Sequence, residues 1–92
     1  MSNEDAVELP IDGVLDLHTF RPAEAQALVA HYLDECRARG VLEVRIIHGK
    51  GTGTLRRIVH SVLDRRTDVV RYSLAGDGSS WGATLVTLRP RA

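Results

Sequence analysis

Two short apolar runs, at residues 14–18 and 44–48, flank a segment in which Ala25, Leu28, Val29, Tyr32, Leu33 and Cys36 recur at spacings of three and four. That spacing puts all six on one stripe of a helix. Pro22 stands where the helix would begin, a position that tolerates proline because no amide is needed there. Gly40 closes it, and Arg37 and Arg39 fall in the last turn, where cations suit the helix dipole. A strand, a long helix and a second strand close as a right-handed crossover with the two strands parallel.

The rest of the chain extends this unit. Leu55, Ile58, Val59, Val62 and Leu63 mark a second amphipathic helix. Residues 69–75 alternate as a strand with one wet face would. Residues 76–82 read as a loop, and residues 83–88 as a final strand rich in β-formers. The last two strands are expected to pair as an antiparallel hairpin. The expected fold is α/β, a two-layer sandwich of order β-α-β-α-β-β, with a mixed four-stranded sheet and both helices packed on it.

Ninety-two residues make one domain with a modest core. Residues 1–11 read as a disordered acidic tail and residues 12–92 as the domain. No apolar run is long enough to span a bilayer, so no membrane role is expected. The polar, acidic start does not resemble a secretory signal, and a cytoplasmic location is the expectation. Cys36 is the single cysteine and is expected to be buried as a small hydrophobe.

A net charge of zero conceals a split. Residues 1–44 hold nine acidic side chains and three arginines, a balance of minus six; residues 45–92 hold nine basic side chains and three aspartates, a balance of plus six. All the basic residues but Lys50 are arginine, whose planar fork matches phosphate better than a point charge does. The split reads either as a mixed solvated surface or as an anion-binding face in the second half.

The sharpest local feature is the loop His48-Gly49-Lys50-Gly51-Thr52-Gly53, which opens directly into the second helix. Glycines let backbone N–H groups approach an anion, and a helix N-terminus adds unsatisfied donors. The spacing is neither that of a P-loop nor that of the dinucleotide fingerprint. The loop is either a phosphate cradle or a tight turn that needs glycine. Its edge of the sheet is where open α/β sheets bind ligands.

The first strand delivers Asp16 and His18 to that edge on one face, and the second delivers His48. Asp16 can orient His18 by accepting its ring proton, or hold a divalent cation such as Mg or Mn through oxygen. His31 and His60 are expected on solvated helix surface. Arg21, after the first strand, and Arg56, in the first turn of the second helix, are candidate phosphate contacts. Trp81 either stacks on a base or packs against the sheet end.

Three segments carry a family resemblance: Leu15-Asp16-Leu17-His18, the 48–53 loop, and Gly82-Ala83-Thr84-Leu85-Val86. In this order and spacing they resemble the Smr (small MutS-related) domain, over about residues 12–88, in what looks like its short, stand-alone bacterial form. The resemblance implies a fold similar to the C-terminal domain of translation initiation factor three. It implies a nucleic-acid partner, DNA or RNA, branched or ribosome-associated, and endonuclease (nicking) activity on phosphodiester bonds. It carries over Asp16, His18 and His48 as catalytic residues. Lys50 also carries over; the position and chemistry of the residues themselves, not the resemblance, make Gly49, Gly51, Thr52, Gly53, Arg21, Arg56 and Trp81 its candidate companions in contacting phosphate or nucleic acid. The family's first motif usually ends in glycine, where Thr19-Phe20 stands here, which changes the turn beside His18. A binding module without turnover and a small-molecule phosphate binder are the alternatives.

Overall fold

The computed structural model describes residues 10–49, 51–75 and 82–91. Most of the expected acidic tail, together with Lys50 and Trp81, lies outside the described residues. Six elements follow the expected order: β1 (Val14–Asp16), α1 (Pro22–Ala38), β2 (Glu43–Ile47), α2 (Thr54–Arg65), β3 (Val69–Leu74) and β4 (Ala83–Leu88). They form a four-stranded sheet in the order β1-β2-β4-β3. β1 pairs parallel with β2, whereas β4 runs antiparallel to both β2 and β3. The mixed α/β sheet expected from the sequence is the one observed.

Period-two alternation decides which face of the sheet is covered. Leu15, Leu17, Val44, Ile46, Val86 and Leu88 are buried, whereas Val14 and Leu85, on the opposite face, are exposed. The covered face meets Ala25, Val29, Tyr32, Leu33 and Cys36 of α1 and Val59, Val62 and Leu63 of α2 in one core. Ile11, assigned to the tail from sequence, packs against that core.

Helix α1 stops as the sequence suggests. Gly40 takes a left-handed φ of 75°. Its N–H donates to the Arg37 carbonyl and that of Val41 to the Cys36 carbonyl, at 3.1 and 2.8 Å. This is the Schellman arrangement, which satisfies carbonyls left over at a helix end. At the other end the Glu24 carboxylate accepts the Arg21 N–H at 2.9 Å.

Strand β3 departs from the expected alternation. The register shifts between Val69 and Arg71, leaving Val69 and Tyr72 packed against the core and Val70 exposed. One extra residue reverses which side chains face inward after it, which is how a β-bulge acts.

Candidate functional site

Parallel pairing brings the ends of β1 and β2 together. Asp16 lies opposite Ile47, and the Leu17 N–H donates to the Ile47 carbonyl at 2.8 Å. His18 and the loop after His48 therefore leave the sheet at the same edge, as the sequence predicts.

At that edge the Asp16 carboxylate accepts two hydrogen bonds through Oδ1, from the His18 backbone N–H at 3.0 Å and from His18 Nδ1 at 2.8 Å. These bonds, the backbone one first, hold the Asp16 carboxyl below its ordinary pKa. A carboxylate only accepts, so Nδ1 carries a ring proton, and in the neutral imidazole Nε2 presents a lone pair. The His18 side chain is 70% exposed, so that lone pair is open to solvent.

The loop is closed from β4. The Gly82 carbonyl accepts the N–H groups of both His48 and Gly49, at 2.6 and 2.8 Å. Gly49 and Gly53 adopt φ of 83° and 87°, in the left-handed region that side chains resist. Gly53 is the N-cap of α2 and brings no capping side chain, although Thr52 Oγ1 accepts the Thr54 N–H at 3.4 Å. The first helical bond from this end runs from the Arg57 N–H to the Gly53 carbonyl, so the amides of Leu55 and Arg56 precede it. No acidic residue occupies the first turn. The helix end is therefore electropositive, with donors unused by the helix itself. A concavity of about 240 Å³ opens there, lined by Pro22, His48, Gly51, Thr52, Gly53, Thr54 and Leu55.

The glycines differ in what they are for. Gly49 and Gly53 are required by backbone conformation, as the tight-turn reading expects. Gly51 is exposed, and a Cβ on it would meet nothing within 4 Å among the described residues. Packing among the described residues does not ask for glycine at that position.

The other expected residues distribute unevenly. Arg56 is half-buried, with its guanidinium folded over Gly53, where an added Cβ would lie 3.0 Å from it. Arg21 is exposed beside Pro22 of the concavity. Thr52 Oγ1 pairs with Thr54 Oγ1 at 2.8 Å. Among the described residues there is no cluster of three His, Cys, Asp or Glu side chains able to hold a metal ion. Asp16 already spends one oxygen on His18.

His48 and His60 are placed differently from the sequence expectation. His48 is only 5% exposed. Its Nδ1 lies 3.1 Å from the Gly49 carbonyl and its Nε2 lies 2.8 Å from Thr84 Oγ1, so both ring nitrogens are engaged. His60, expected on solvated surface, is half-buried with Nε2 2.8 Å from the same Thr84 oxygen. Burial, above all, pushes both histidines below the ordinary imidazole pKa, and the Arg56 charge adds to it. Thr84 was missed as a site residue. Its signal was a hydroxyl at an inward position of an apolar strand, between Gly82 and Val86.

Comparison with known proteins agrees with this fold. The Smr domain family model matches residues 15–89. The chain is 40% identical over 81 residues to endonuclease MutS2 of Halothermothrix orenii and 40% identical over 78 residues to endonuclease MutS2 of Thermus thermophilus. Those segments cover 86% and 83% of this chain but 10% of each relative, so the chain spans about a tenth of the length of the curated relatives it matches. Among solved structures, the Smr domain of Thermus thermophilus MutS2 superposes with a TM-score of 0.78 at 40% identity, over 84% of this chain and 98% of that one. YdaL, a stand-alone small MutS-related protein from Escherichia coli, gives 0.79 at 28% identity, over 95% of this chain and 72% of that one.

Proposed function

Starting from a chain that belongs to the Smr domain family, we propose that it binds the phosphodiester backbone of nucleic acid at the α2 N-terminus and nicks it there with His18. The observation that carries this reading is that the Asp16–His18 pair and the loop into an acid-free helix N-terminus leave the ends of two adjacent parallel strands at one sheet edge.

The scissile phosphate lies against the amides of the 51–55 segment, which a Cβ on Gly51 would obstruct. Lys50, next in sequence to Gly51, and the guanidinium of Arg56 add positive charge. Asp16 holds His18 with Nδ1 protonated, so Nε2 takes the proton from the attacking oxygen, either water or the neighbouring 2′-hydroxyl of RNA. The new phosphorus–oxygen bond forms as the bond to the leaving oxygen breaks, and that oxygen takes its proton from solvent. No step is routed through a metal.

A second reading, binding without turnover, is favoured by the engagement of both His48 nitrogens. The expected pair of acid–base histidines is reduced to one free nitrogen, on His18. Phosphate contacts alone suffice for a module of that kind.

Anisotropy titrations with labelled RNA and DNA, paired with cleavage of the same end-labelled strands, test both readings. Binding should weaken steeply with salt. Cleavage by wild type but not by identically purified His18→Ala or Asp16→Asn supports the nicking activity; equal cleavage by all three rejects it. An absence of binding at low salt rejects the nucleic-acid reading itself.

A further inference from the structure

Thr84 Oγ1 lies 2.8 Å from Nε2 of His48 and 2.8 Å from Nε2 of His60. A hydroxyl has one proton to give, so it cannot donate to both rings. The Gly49 carbonyl decides the direction. It can only accept, so His48 Nδ1, 3.1 Å away, carries the hydrogen. Neutral His48 then has a bare Nε2, which must accept the Thr84 proton. The Thr84 oxygen in turn must accept from a protonated Nε2 of His60. One arrangement of protons satisfies all three bonds with both rings neutral.

We infer that Thr84 and His60 are positioning residues: through this one-way chain of hydrogen bonds they fix the His48 tautomer, and His48 thereby holds the Gly49 carbonyl and the entry to the glycine loop. The chain joins α2 and β4 to the start of the loop, since His48 follows β2, His60 lies on α2 and Thr84 on β4, while Tyr72 of β3 packs against the His60 ring with centroids 4.8 Å apart. The His48 and His60 rings meet edge to face at 6.0 Å. Tyr72 is itself held by donating to Asp64 at 2.6 Å. The alternative assignment protonates His48 fully, reverses Thr84 and moves the His60 proton to Nδ1. It places a cation on a ring that is 5% exposed, beside Arg56, and burial of a charge opposes it. Hydrogen bonds in series polarise one another, so the chain is stiffer than its separate members.

The tautomer assignment is independent of what the loop binds; its consequence for affinity rests on the nucleic-acid reading above. Nitrogen-15 imidazole spectra of the wild type at pH 7.5 read the protons directly. The expected pattern is His48 protonated at Nδ1 only and His60 at Nε2 only. The reverse pattern, or two rings of the same tautomer, overturns the proposal without any variant having to fold. Thr84→Val should then release His48 into a mixture of tautomers, shift the Gly49 and Gly51 amide resonances, and weaken oligonucleotide binding by about tenfold, the equivalent of one hydrogen bond lost. Thr84→Ser should restore all three. If Thr84→Val alters neither the His48 tautomer nor the glycine amides, the positioning role is refuted. If it alters both and the wild type binds no nucleic acid, the positioning role stands and the nucleic-acid reading falls.

Discussion

Gly82 and Gly49 touch backbone to backbone: a Cβ built on Gly82 would lie 2.9 Å from the Gly49 Cα, while the Gly82 carbonyl accepts the Gly49 N–H at 2.8 Å. Gly82→Ala must therefore push β4 away from the loop entry. We expect a loss of about 1–3 kcal/mol of stability, as for other overpacked contacts. Denaturant unfolding should show it as a lower midpoint at unchanged slope. A fully stable Gly82→Ala protein would show that the approach is not tight.

Gly51→Ala should behave in the opposite way. Its Cβ meets no atom of the described residues within 4 Å, so stability should change by no more than about 0.5 kcal/mol. Oligonucleotide affinity should fall about tenfold or more, because the methyl group occupies the approach to the loop amides. Equal affinity for wild type and variant would mean that no ligand comes close to Gly51.

The pH dependence of stability follows from the two buried histidines. Both have folded pKa values below the ordinary 6.5, so the unfolded chain binds their protons more readily. Their contribution is fully present above about pH 6.5 and is lost as pH falls towards and through the lowered values. The melting temperature should therefore drop between pH 7.5 and pH 5. His60→Gln retains an N–H for Thr84 but no longer titrates, so it should flatten part of that slope. The charged groups facing this pair are Arg56, which opposes protonation of both, and Asp64, which favours it at His60. A melting temperature independent of pH over this range would contradict the assignment.

Tyr32 ties α1 to the start of β1. Its hydroxyl accepts the buried Gly13 N–H at 3.1 Å and lies 3.1 Å from the Val14 carbonyl, to which it can donate. Burial pushes its pKa up to about 12, so this contribution persists below pH 10 and is lost as pH rises through the folded value. Tyr32→Phe leaves the Gly13 amide without that partner. The expected loss is about 1–2 kcal/mol, a fall in melting temperature of roughly 5–10 °C for a chain of this size. A melting temperature within a degree of wild type would show that water replaces the hydroxyl.

Much of this architecture was legible before any coordinates. Helix α1, its proline start and its glycine stop are local events, dictated by side chains within a few positions of each other. The same holds for the glycine loop running into α2, and for Asp16 and His18 sharing a face, because a strand's period of two requires it. Parallel pairing of the first two strands followed from the intervening helix, and it brought His18 and the loop to one edge.

What stayed hidden depends on partners distant in sequence. The bulge at Val70, which cancels the alternation expected of β3, answers to packing against β4 and the core rather than to its own residues. Read alone, His60 sits on a helix beside polar neighbours, and Thr84 is an ordinary strand residue 24 positions away. Only the insertion of β4 between β2 and β3 places the Thr84 hydroxyl between two imidazoles. The types of group available, and the edge to which they go, were determined by the sequence through local geometry. Which nitrogen is free to act was decided by the tertiary fold, because a buried polar atom must find its partner wherever the chain returns. On that ground the proposed acid–base role goes to His18, whose side chain is exposed, and not to His48, whose two ring nitrogens are both engaged within the fold.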